Sequence, residues 1–128
     1  MRTAICGLLL AAGVAAAAAS AAGGPGGYYY AKITGAKPAA LNATWALGIR
    51  SPAFAITRNN TAVVAGRVTI SGGKIAFRDL KGSLACKGAQ AVGTYGWKLV
   101  GKTLKLTPYN DPCVGRKAIL THPFTKIG

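Results

Sequence analysis

From Leu41 onward, apolar and polar positions alternate along the chain. Trp45, Leu47 and Ile49 share one face of a run that breaks at Ser51-Pro52, and Phe54 and Ile56 share one face of the next, which ends at Asn59-Asn60. Val64, Val68 and Ile70 mark a longer run, with Gly66 where a bend or bulge would sit. Beyond the Ser71-Gly72-Gly73 turn, Ile75 and Phe77 point one way; further on, Tyr95, Trp97 and Leu99 share a face, as do Leu104 and Leu106. Gly101-Lys102 between the last two runs is a Gly-X pair suited to a tight hairpin. A period of two predicts β-strands, and a last strand is expected over 117–121, whereas 81–91 reads as a loop. Strands recurring every 8–12 residues or so, with glycine turns between them, predict an all-β fold. The expected form is a small antiparallel up-and-down barrel of about seven or eight strands, a closure that also removes exposed sheet edges.

The same alternation sorts the charges. Arg67, Arg78, Lys98 and Lys105 fall on the faces opposite the apolar side chains, so they are expected on the outside rather than lining an interior anion site. Sixteen Lys and Arg stand against two acids, Asp79 and Asp111, for a formal net charge of +14. A field of that sign gathers polyanions and anionic surfaces around a protein, and it also keeps an exported protein soluble.

The N-terminus predicts export. Met1-Arg2-Thr3 precedes an apolar stretch of mostly alanine, and Ala19-Ser20-Ala21 supplies a small-residue cleavage pattern, so 1–21 reads as a secretory signal peptide. That run is weakly apolar beside the ~20 strongly apolar residues of a membrane span. Cleavage would take Arg2 away and bring the net charge from +14 to +13. Residues 22–40, rich in Gly and carrying Tyr28-Tyr29-Tyr30 and Pro38, read as a flexible leader, the tyrosine triplet as a short strand or a segment packed across one barrel end. The barrel domain is assigned to 41–128. Export would leave Cys86 and Cys113, which most simply form one disulfide. It would close a loop of about 28 residues, contributing on the order of 3 kcal/mol in the chain-entropy model. One His and no C-x-x-C spacing give no metal site.

At Trp45, Gly93-Thr-Tyr-Gly-Trp97 and Asp111-Pro-Cys-Val-Gly-Arg116 the chain resembles small secreted bacterial lipocalin-like proteins, short members of the calycin-type barrel group. The resemblance covers roughly 41–124 and is best over 92–120. It implies that Trp45 and Arg116 close one barrel end, the guanidinium stacked on the indole, a contact of about 0.5–2 kcal/mol. It says little of function, because one barrel hosts many activities.

Three function classes follow. A secreted, non-catalytic binding protein would hold a small apolar ligand, with Phe54, Phe77, Tyr95 and Trp97 as candidate lining residues. An interaction protein would either engage an anionic cell-surface polymer through its cationic exterior or inhibit a protease by projecting 23–38; export disfavours nucleic acid as the partner. An enzyme is not expected, since one His, two Asp and no Glu leave acid–base pairs scarce, and Asp111 is expected to cap its turn or pair with Arg116. No cofactor is implied.

Overall fold

A computed structural model describes residues 24–128; the signal peptide expected over 1–21 lies outside the described residues. Eight strands follow in chain order: β1 (Gly27–Ile33), β2 (Ala43–Arg50), β3 (Ala53–Arg58), β4 (Thr61–Ser71), β5 (Lys74–Lys81), β6 (Val92–Val100), β7 (Thr103–Asn110) and β8 (Phe124–Lys126). Each pairs antiparallel with its neighbours in sequence, and β8 pairs with β1, so the sheet closes into an up-and-down barrel. One short helix, α1 (Val114–Leu120), lies between β7 and β8.

Local chemistry sets the turns. Asn59 and Asn60 both take positive φ, 49° and 68°, the handedness that a two-residue hairpin between right-twisted strands requires. Gly101, at φ 60°, does the same between β6 and β7. The ladder between β4 and β5 shifts register at Ala65/Gly66, which is the bulge expected at Gly66. There a Cβ would collide with the Arg78 carbonyl oxygen and press on the Phe54 ring, so only glycine lets the two backbones approach.

The interior is packed with side chains. Tyr29, Leu47, Ile75, Phe77 and Tyr95 are each fully buried, so they are core and not the wall of a hollow barrel. Phe77 meets Phe54 and Tyr95 edge to face, at 5.0 and 5.9 Å between ring centroids.

Two expectations are corrected. The leader assigned to 22–40 is not flexible throughout: 27–33 form β1, with Tyr29, Ala31 and Ile33 facing in and Tyr28, Tyr30 and Lys32 facing out. Buried Tyr29 donates its hydroxyl to the Pro25 carbonyl at 2.7 Å. The strand expected over 117–121 is helix α1, and the closing strand comes later, at Phe124–Lys126. The residues α1 buries are Arg116, Ile119 and Leu120, spaced i, i+3, i+4. One of the three is an arginine, which reads as an outward position and hides the helical period.

Gly66→Ala should destabilise the fold by about 1–3 kcal/mol, the usual penalty of forcing atoms into a packed site. Thermal unfolding followed by far-UV circular dichroism checks this; an unchanged midpoint would mean the β4–β5 bulge can relax.

Candidate functional site

One end of the barrel, where β2 and β4 begin and β5 and β7 end, is organised by Arg116. Carried inward by α1, its guanidinium binds Asp111 through both oxygens, Nε to Oδ2 at 2.9 Å and Nη2 to Oδ1 at 2.7 Å. It also donates to the carbonyls of Ala91 at 2.9 Å and Gln90 at 3.0 Å, and Nη1 lies 3.0 Å from Asp79 Oδ1. Both acidic side chains of the chain therefore face one buried arginine. Asp111 is fully engaged, because it also accepts from the Cys113 amide at 2.8 Å and from the Tyr95 hydroxyl. Burial alone would raise its carboxyl, yet the hydrogen bonds from Arg116, Tyr95 and Cys113 together hold it below the usual carboxylate range. Burial, and then the hydrogen bond to Asp111, push the Tyr95 hydroxyl well above the usual phenol range. Gly93 is buried beside this cluster, and a Cβ there would strike the Asp111 carboxylate.

The ion cluster and the disulfide form one unit. Cys86 and Cys113 are bonded as expected. The Cys86 amide donates to Asp79 Oδ2 at 2.8 Å, and the Cys113 amide donates to Asp111 Oδ1. Each half of the crosslink is thus seated on one carboxylate, and both carboxylates are seated on Arg116. Asp79 Oδ1 is buried, and its partner there is the Arg116 guanidinium of the ion pair.

Against this unit lies a cavity of about 180 Å³. Leu41, Trp45, Ile56, Val63, Leu84 and Ile119 give it an apolar wall. Asp79 and Arg116 are the charged residues that line it, and both cysteines of the disulfide also contribute.

The residues expected to matter divide into three groups. Trp45 and Arg116 come to the same barrel end and line the same cavity, but they do not stack. Arg58 lies over the Trp45 ring at 5.8 Å, and the indole N–H donates to the Leu41 carbonyl at 2.8 Å. Two carboxylates in a buried setting outbid an indole face for Arg116, since charge-assisted bidentate bonds are stronger than a cation–π contact. Phe54, Phe77 and Tyr95 lie in the core and do not line the cavity, and the Tyr95 hydroxyl is used by Asp111. Trp97 is half-buried, its indole N–H donating to the Gly72 carbonyl at 3.1 Å. Arg67, Arg78, Lys98 and Lys105 are all exposed on the outer face.

Asp79 and Arg58 escaped the sequence reading. A signal for Asp79 exists: it continues the inward series Ile75, Phe77, Asp79 on β5, and an acid on an inward strand position needs a buried partner. Arg58 carries no comparable mark, because its place over Trp45 follows from the β2–β3 register that pairs Trp45 with Arg58.

Arg116→Met should destabilise by about 3–5 kcal/mol, because it leaves two carboxylates buried without their cation. Stability should also fall at both pH extremes. The depressed Asp111 pKa gives a contribution present above about pH 4 and lost as pH falls through the lower folded value; the raised Tyr95 pKa gives one present below about pH 10 and lost above it. Denaturant melts across pH check this, and Tyr95→Phe should shrink the alkaline loss and reduce the acid one as well, because the lost hydroxyl no longer helps to hold Asp111 down.

No protein-family model, curated protein or solved structure matches this chain, and the lipocalin-like resemblance is one of sequence pattern.

Proposed function

We propose that the protein is an exported, non-catalytic binding protein that takes one small apolar molecule into the cavity at the mouth of its barrel. The cavity itself carries the reading: about 180 Å³ of space with an apolar wall, placed against the buried Asp79–Arg116 pair. Its size sets the ligand. An apolar cavity of about 150 Å³ holds benzene, whereas drug-sized ligands need roughly 300–1,000 Å³. One ring or a short branched chain fits, and a long lipid does not. The polar edge sets the head group. Asp79 and Arg116 both line the cavity, so a ligand with one hydroxyl or amine gains a polar partner there and exceeds its plain hydrocarbon analogue.

The protease-inhibitor alternative drew on 23–38 as a projecting segment. Residues 27–33 of that segment pair with β2, and Tyr29 and Tyr30 also pair with β8 on the other side, so that reading loses its support.

Trp45 reports on the site, and Trp97→Phe leaves it as the only tryptophan. Benzyl alcohol should shift its emission saturably, with tighter binding than toluene and equal affinity at low and high salt. Val63→Phe, which fills the cavity, should weaken binding by about tenfold or more while the fold persists by circular dichroism. Absence of a saturable shift with either compound, or unchanged binding in Val63→Phe, would remove the cavity from the function.

A further inference from the structure

The outer face of β1–β5 carries a feature that the cavity does not use. Across four neighbouring strands the ladder sets Arg50 opposite Ala53, Ala53 opposite Arg67, and Arg67 opposite Arg78. At the ordinary strand spacing of about 4.8 Å, this roots three arginines along a line about 14 Å long across the sheet. All three side chains point outward and are exposed. Arg67 directly opposite Arg78 is a like-charge pair, which works against the sheet. No acidic side chain offsets it, because both aspartates are buried on Arg116.

Beside the arginine row lies a shallow groove of about 160 Å³, lined in part by Tyr28, Gly48, Arg50, Ala53 and Ala55. Tyr28 pairs with Gly48 across β1 and β2, and a Cβ on Gly48 would come within 3.1 Å of the ring. The missing side chain lets the ring lie against the sheet, and Tyr28 remains 47% exposed. Its hydroxyl accepts from Arg50 Nη1 at 3.5 Å, which joins the aromatic surface to one end of the row. The result is a flat aromatic rest, a floor of alanine and glycine, and a line of planar cations.

We propose that this face binds a linear acidic polysaccharide bearing carboxylates. A guanidinium fork matches a carboxylate through two parallel hydrogen bonds, and three in a row engage a charge that repeats along a chain. A sugar ring rests on an exposed tyrosine face, and the small floor residues leave it room. The polymer also supplies the counter-charge that Arg67 and Arg78 lack within the protein. This site is separate from the mouth cavity and does not depend on it.

The test compares polygalacturonate, neutral dextran, inorganic polyphosphate and single-stranded oligo-dT by calorimetry at two salt concentrations. Polygalacturonate should bind with strong salt dependence and dextran should not. The triple variant R50Q/R67Q/R78Q should lose about tenfold or more in polygalacturonate affinity, with thermal stability equal or higher because the opposed arginines are gone. Lys98→Gln, Lys102→Gln and Lys105→Gln together remove the same charge elsewhere on the exterior, and should cost less than about threefold. Tyr28→Ala should weaken polygalacturonate more than polyphosphate. Equal losses in the two triple variants would overturn the assignment in favour of diffuse charge. Tighter binding of oligo-dT or polyphosphate than of polygalacturonate at equal charge would overturn the polysaccharide as occupant. Val63→Phe should leave polygalacturonate binding unchanged, so failure of this proposal and failure of the cavity reading are distinguishable.

Discussion

The guanidinium of Arg116 is the point on which one end of the molecule depends. It gathers an aspartate from β5, an aspartate following β7 and two carbonyls of the loop between β5 and β6. Those aspartates in turn hold the amides of the two crosslinked cysteines. Desolvating three charged groups is costly, and the arrangement persists because nearly every donor and acceptor in it is matched. Helix α1 is therefore a lid pinned from below by charge, with Ile119 and Leu120 sealing the core beside it. Asp79 Oδ1 is held by the guanidinium, and Asp79 and Arg116 both line the cavity.

Much of the barrel was legible from alternation, since strands buried on one face write their period directly into the sequence. Tyr95, Leu104 and Leu106 fixed two strands and Gly101 the hairpin between them. What escaped did so for identifiable reasons. The tyrosine triplet reads as a short strand and is one, but its place as a barrel strand was hidden, because the glycine content around it masked the inward series Tyr29, Ala31, Ile33. α1 is short, and the first of its three inward residues is charged. The disulfide was legible because few cysteines exist to choose among, and the Asp111–Arg116 pair because the two lie only five positions apart. The Asp79 contact was not, because an ion pair spanning 37 positions leaves no local periodic trace. Trp45 and Arg116 show the limit of arguing by resemblance: both came to the expected end of the barrel, but each took a different partner.

The filled interior divides the molecule into two regions with different physics. At the mouth, a small apolar space meets a buried ion pair, where affinity would come from desolvation and from one well-placed hydrogen bond. On the outside, cations stand on a pleated surface in water, where affinity would come from displaced counterions and would fade with salt. Little couples the two, because the core between them is close-packed and rigid.

The burial of both aspartates has a consequence for the medium in which the protein works. A typical protein surface mixes acids and bases, so acidification changes its sign pattern as carboxylates protonate. Here the outer face carries no acidic side chain, since the two that the chain possesses are inside. Lysine and arginine keep their charge across the acid and neutral range. The lysine and arginine charge that the barrel presents to its surroundings therefore stays nearly constant as they acidify.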